Sequence, residues 1–148
     1  MGRILCVANQ KGGVGKTTTA SNLAAGLAHG GMQTLLLDLD PQCNATTGLG
    51  ASPADVHPLV SDAPISESLV ATNISNLTLL PGSRSVRDVE RIAQQARSGS
   101  MVLESHLVGG LKAWDYCLID CPPSVGELTR TALAGSTEVI MPIQCEYF

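Results

Sequence analysis

Aromatic side chains are almost missing from this 148-residue chain, which has one Trp, two Tyr and one Phe. Glycine, by contrast, is plentiful at 15 residues. Together these argue against an all-β sandwich and for a domain of Ala, Val, Leu and Ile packed in helices against a sheet. Long apolar runs are also lacking. No stretch reaches membrane-spanning length, and the N-terminal region lacks the apolar core of a signal peptide. Met1-Gly2 begins like a myristoylation site, but position 6 is Cys6 where Ser or Thr is required. Positive charge is short: nine Lys and Arg against 13 Asp and Glu leave a net charge of −4. That excludes a chain-wide electrostatic footprint for nucleic acid, though not a local basic patch. Cysteine is present but unpatterned. Cys6, Cys43, Cys117, Cys121 and Cys145 offer no second ligand pair of the kind a metal site needs. Reduced, buried thiols in a cytosolic protein are the expectation. The length suits a single domain, residues 1–148, with a substantial core.

What the chain does have is a phosphate loop. Ile4-Leu5-Cys6-Val7-Ala8 is an apolar run short enough for a buried strand. Asn9-Gln10-Lys11-Gly12-Gly13-Val14-Gly15-Lys16-Thr17-Thr18 follows it. Ala20, Leu23, Ala24, Leu27 and Ala28 then recur at helical spacing until Gly30-Gly31. Strand, glycine loop and helix are the context that makes such a loop a physical site. Gly12, Gly13 and Gly15 let the backbone curl so that successive N–H groups face a phosphate, and the helix adds its positive end. The candidate binding set is Lys11, Gly12, Gly13, Val14, Gly15, Lys16, Thr17 and Thr18. Lys16 reaches the β- and γ-phosphates, and the Thr17 hydroxyl is a candidate Mg²⁺ ligand.

Residues 34–40 read as a parallel strand covered on both faces, apolar until Asp38 and Asp40. Ligands of open α/β sheets sit beyond such carboxyl ends. Pro41 ends the strand, and Asp before Pro is also a common turn pair. Pro53, Pro58 and Pro64 break residues 51–75 into short helices and loops, with 65–70 the best helical piece. Leu77-Thr78-Leu79-Leu80 is a third strand. Ser85-Val86-Arg87-Asp88 has the form of a capping box, opening a helix that buries Val86, Val89, Ile92, Ala93 and Ala96. Arg84, Arg87, Arg91 and Arg97 lie on or beside its other side, more simply a solvated face than a DNA contact. A further helix is expected over 101–111. Tyr116-Cys117-Leu118-Ile119-Asp120 is a fourth strand whose acidic end, downstream of a phosphate loop, is the Walker B arrangement. Asp120 would hold Mg²⁺ from the side opposite Thr17. Ser124-Val125-Gly126-Glu127 is a second capping box, and residues 139–143 form a fifth strand with Pro142 near its carboxyl end.

The loop departs from the standard G-x-x-x-x-G-K-T pattern. Gln10 stands where the first glycine belongs, and a second lysine, Lys11, stands at the loop mouth. This K-G-G-x-G-K-T-T form resembles the deviant Walker A motif of the ParA/MinD family of dimerising ATPases. Asp38-Leu39-Asp40-Pro41-Gln42 with Asn44, Asp120-Cys121-Pro122-Pro123-Ser124 and the closing Pro142-Ile143-Gln144-Cys145-Glu146-Tyr147-Phe148 resemble its partitioning branch, ParA and Soj.

The resemblance covers the whole chain. It implies a three-layer, doubly wound, mostly parallel α/β sheet of MinD-like (SIMIBI) P-loop NTPase architecture. It also implies Mg²⁺-dependent ATP hydrolysis, with Lys16 on the triphosphate and Asp40 acting on the attacking water and near Mg²⁺. Lys11 would cross a sandwich homodimer to the partner's ATP. Implied partners are nonspecific DNA and a ParB-type protein, with no membrane, in a cytoplasmic, nucleoid-associated setting. Family members run roughly a hundred residues further, a domain-size difference. The resemblance therefore implies the N-terminal portion of such a protein, with a partly uncovered fifth strand and a poorly soluble isolated fragment. A MinD-like membrane-cycling regulator of division-site placement is the alternative, since it shares Lys11, Lys16 and the Walker B aspartate. An electron-transfer ATPase like the nitrogenase iron protein needs a cluster cysteine, which residues 83–112 lack. A fragment that binds phosphate without hydrolysis is the remaining reading.

Overall fold

The computed structural model describes residues 2–61, 63–95 and 113–146. The chain runs β1 (Arg3–Val7), α1 (Lys16–His29), β2 (Thr34–Asp38), α2 (Asn44–Gly48) and α3 (Pro58–Ser61). A 3₁₀ turn (Ile65–Glu67) precedes β3 (Val70–Ala71) and β4 (Leu77–Leu80). Then come α4 (Val86–Gln95), β5 (Tyr116–Asp120), α5 (Glu127–Ala134) and β6 (Glu138–Ile140). The strands form one sheet in the order β3-β4-β2-β5-β1-β6, parallel throughout except for β3 on β4.

Strand alternation builds the layers. Ile4, Cys6, Leu35, Leu37, Cys117 and Ile119 point to one face, where Ala132 of α5 joins them. Leu5, Val7, Leu36 and Leu118 point to the other, against Ala20, Ala24 and Ala28 of α1. Every fourth residue of that helix face is a small alanine, so α1 lies close against the sheet. Each fully buried Leu or Ile contributes about 1.5–3 kcal/mol. The three-layer, doubly wound α/β expectation therefore holds. Its consequence is positional: Val7 is level with Asp120, and Asp38 is level with Asp120 on the far side. The glycine loop and two acidic strand tips emerge along one edge of the sheet.

Local differences from expectation have physical causes. The second strand ends at Asp38 because the Asp38 carboxylate turns back to accept the Asp40 N–H, at 3.2 Å. A turn at Pro41 and Gln42 follows it, and then the short helix α2. Residues 65–70 are not one helix. They were too short to nucleate, and Val70 and Ala71 instead pair antiparallel with Leu79 and Thr78. Neither capping box forms as expected. Helix α5 starts at Glu127 with Gly126 at its cap and no side-chain cap bond, while Glu127 pairs with Arg130 at 3.3 Å. Ser85 does precede α4, but its hydroxyl accepts the His57 N–H (2.9 Å) and meets the Ser83 hydroxyl (2.8 Å).

The last strand is only three residues long, and Pro142 lies beyond it. β1 ends into the glycine loop, so the bond from Ala8 N–H to Ile140 O (3.1 Å) closes the ladder. As expected of an edge strand, it leaves apolar side chains uncovered: Val139, Met141 and Ile143 are 50%, 60% and 73% exposed. Among the described residues, no helix is long and apolar enough to cross a membrane. The helix expected over 101–111, with Ala96, Arg97, Tyr147 and Phe148, lies outside the described residues.

Candidate functional site

The loop between β1 and α1 depends on left-handed backbone. Gly13 and Gly15 have φ of +72° and +87°, and among the described residues nothing lies within 4 Å of where a Cβ would sit at either. Conformation rather than space therefore requires glycine there. Lys16 opens α1 and is buried. Its Nζ folds back over the loop and donates to the Lys11 carbonyl at 2.8 Å. One residue on, the Thr17 hydroxyl donates to Asp120 Oδ2 at 2.7 Å, joining the helix start to the tip of β5.

Asp120 has no exposed surface, and its second oxygen, Oδ1, has no hydrogen-bond partner among the described residues. Burial pushes this carboxyl up to about 7. The Thr17 hydrogen bond and the Lys16 charge oppose the shift, while Asp38 and Asp40 add to it. A buried acceptor left bare is costly. This one lies beside a hydroxyl, so both are hard oxygen donors of the kind Mg²⁺ selects. No three His, Cys, Asp or Glu side chains among the described residues cluster closely enough to hold a metal alone. Mg²⁺ fits that shortage, because it binds through one or two carboxylates and keeps waters and phosphate oxygens as its other ligands.

The two β2 aspartates diverge in role. Asp38 is a strut: its Oδ2 accepts the Thr46 hydroxyl (2.6 Å) and the Thr46 N–H (2.9 Å). Thr46 Oγ1 in turn accepts the Gly82 N–H at 2.8 Å. Burial still raises the Asp38 pKa against these donors, with Asp40 adding a smaller push in the same direction. Asp40 is 7% exposed, and its Oδ1 accepts the Gln42 N–H at 2.8 Å. It thus shapes its own turn while facing the loop.

A cavity of about 420 Å³ gathers these pieces. It is lined by Gly12, Gly13, Gly15, Lys16, Thr17, Thr18, Asp40, Gln42, Asn44 and Pro123. Its size lies within the usual range of about 300–1,000 Å³ for small-molecule sites. Three candidates are not in the lining. Val14 and Asp120 are buried, Asp120 lying behind Thr17 and bonded to its hydroxyl, and the half-exposed Lys11 side chain lies with Nζ 3.9 Å from Glu146 Oε2. Gln42, Asn44 and Pro123 also line the cavity; they belong to the sequence motifs but not to the candidate site residues, and the folded turns bring them to it. His57 lies outside this lining. It is fully buried, and its Nδ1 accepts the Leu59 N–H at 3.2 Å.

A left-handed glycine loop feeding a helix, with an acidic tip on the neighbouring parallel strand, defines a P-loop nucleotide-binding α/β protein. Residues 2–148 match the family described as an AAA domain. The chain belongs to that family, in its ParA/Soj branch. It is 44% identical over 153 residues to the sporulation initiation inhibitor protein Soj of Bacillus subtilis (strain 168), aligning over 100% of this chain and 60% of that protein. It matches the solved cobyrinic acid a,c-diamide synthase of Mycobacterium smegmatis with bound ADP and magnesium at a TM-score of 0.92 and 40% identity, covering 99% of this chain and 62% of that one. It also matches a plasmid partition protein of Borrelia burgdorferi B31 bound to AMPPNP, at a TM-score of 0.86 and 27% identity, over 99% and 63% of the two chains. The chain spans between 54% and 60% of the length of the first curated relatives.

Proposed function

We propose that this chain is the nucleotide-binding part of a ParA-type ATPase that hydrolyses ATP to ADP and phosphate in chromosome or plasmid partitioning. The observation that carries the reading is the bare Asp120 Oδ1 beside the Thr17 hydroxyl, at the foot of a glycine loop. Phosphoryl transfer asks little covalent chemistry of a protein; positioning and charge neutralisation do most of it. The N–H groups of Gly12, Gly13, Val14, Gly15, Lys16, Thr17 and Thr18, with the Lys16 ammonium, hold the triphosphate. Thr17 and Asp120 would hold Mg²⁺, with Asp40 near it. The ion would supply neutralisation of phosphate charge. Asp40, fixed by its own turn, orients the attacking water.

Lys11 serves a second copy of the chain. Its side chain does not line its own cavity, which suits a cation directed at a partner's triphosphate across an ATP-dependent homodimer. Such a dimer would bind nonspecific DNA and respond to a ParB-type protein in the cytoplasm, on the nucleoid. Curated relatives named chromosome partitioning protein ParA and chromosome-partitioning ATPase Soj, at 44% and 46% identity, support partitioning over the diamide synthesis named for the Mycobacterium smegmatis protein. In the full-length protein, ATP should induce DNA binding and leave anionic vesicles unbound. Lys11→Ala should lower the ATPase rate on the order of 10³-fold, as loss of a trans cation does. Vesicle binding without DNA binding, or full activity in Lys11→Ala, would contradict the reading.

A further inference from the structure

Asn9 stands between the end of β1 and the turn that carries Lys11, and its carboxamide is engaged at both ends. Oδ1 accepts the Lys11 backbone N–H at 3.0 Å, and Nδ2 donates to the Pro142 carbonyl at 2.7 Å. The first bond is an Asx-turn, which fixes the backbone direction two residues on. The second ties that turn to the segment leaving β6. From the same segment Glu146 meets the Lys11 ammonium at 3.9 Å, and the Lys16 ammonium holds the Lys11 carbonyl at 2.8 Å. Lys11 is therefore fixed at both its N–H and its C=O, and its side chain is directed to the β6 side rather than into its own cavity.

We propose that Asn9 is a positioning residue: its carboxamide clamps the Lys11 turn to the Pro142 carbonyl and so sets where the Lys11 ammonium points. The inference rests on the reading of Lys11 as a cation for a partner's triphosphate, and it names what aims that cation. Lys11 has a long, flexible stem, so the direction of its turn is what the fold can fix. A misplacement of about 1 Å at a reacting centre costs up to about 10²-fold in rate.

The test uses the full-length protein, with kcat and the Kd for Mg-ATP measured for Asn9→Ala, Lys11→Ala and the double variant. Asn9→Ala is expected to lower kcat about tenfold or more with Kd within about threefold of the parent. The double variant should be no slower than Lys11→Ala, because a positioning residue has nothing left to position. Asn9→Asp keeps the acceptor for the Lys11 N–H but loses the donor to Pro142, and should be slow as well. A Kd that rises in step with the loss of kcat, or additive losses in the double variant, would make Asn9 a mere support of the loop and overturn the inference. A parental rate in Asn9→Ala or Asn9→Asp while Lys11→Ala is slow would overturn it too, leaving the role of Lys11 intact. A parental rate in Lys11→Ala would overturn the role of Lys11, and the inference with it.

Discussion

At Gly82 a Cβ would lie 2.9 Å from Asp38 Cγ and Oδ2 and 3.1 Å from Cys43 Sγ. That approach keeps Asp38, Thr46 and Gly82 in one hydrogen-bonded chain and so holds the turn carrying Asp40. Gly82→Ala should destabilise the protein by about 1–3 kcal/mol, the usual cost of overpacking. A urea melt with an unchanged midpoint would contradict this. His57 sets a second residue-scale expectation. Burial lowers its pKa from 6.5 to about 4, so an unfolded chain takes up this proton before the folded one does. The stability tied to neutral His57 is complete above pH 6.5 and is lost as pH falls from 6.5 towards 4. The full change is on the order of 3 kcal/mol. His57→Asn offers an acceptor for the Leu59 N–H and cannot titrate, so its stability should fall less steeply over that window. Equal slopes in the two proteins would remove His57 from the account.

Among the elements, β6 is an edge strand. Among the described residues it pairs with β1 alone, and Val139, Met141 and Ile143 are exposed at its outer side and exit. An edge strand with uncovered apolar side chains recruits other chains. Residues 1–148 expressed alone should therefore aggregate, and replacing Met141 and Ile143 with Lys should raise the soluble fraction. A monodisperse parent by light scattering would contradict this. The elements around the site were legible for a definite reason. β1, β2 and β5 are buried on both faces, so their sequences are unbroken apolar runs with polar tips. The glycines of the loop have few other uses in that context. Legibility failed where tertiary partners decided the outcome. Val70 and Ala71 became a strand through Leu79 and Thr78, and the Ser85 hydroxyl was claimed by the His57 N–H. A two-residue strand is too short to show an alternation, and His57 is too far from Ser85 in sequence for a local pattern to reveal that bond.

At the scale of the molecule, the sheet order sets the chemistry. β1 lies beside β5, and β5 beside β2, so the glycine loop, Asp120 and the Asp38–Asp40 turn leave the sheet at one edge. The chain spans 60% of the length of its Bacillus subtilis relative, and dimerisation, DNA and a ParB-type partner belong to the proposed activity of the full-length protein. All of that presupposes one event, the capture of a magnesium-bound nucleoside triphosphate between the loop and the β5 tip. Isothermal calorimetry of the full-length protein with ATP, with and without Mg²⁺, tests it most directly. Saturable binding should appear with Mg²⁺, weaken when Mg²⁺ is withheld, and disappear in Lys16→Ala. No binding heat with Mg²⁺ present, or the same affinity in Lys16→Ala as in the parent, would contradict the account.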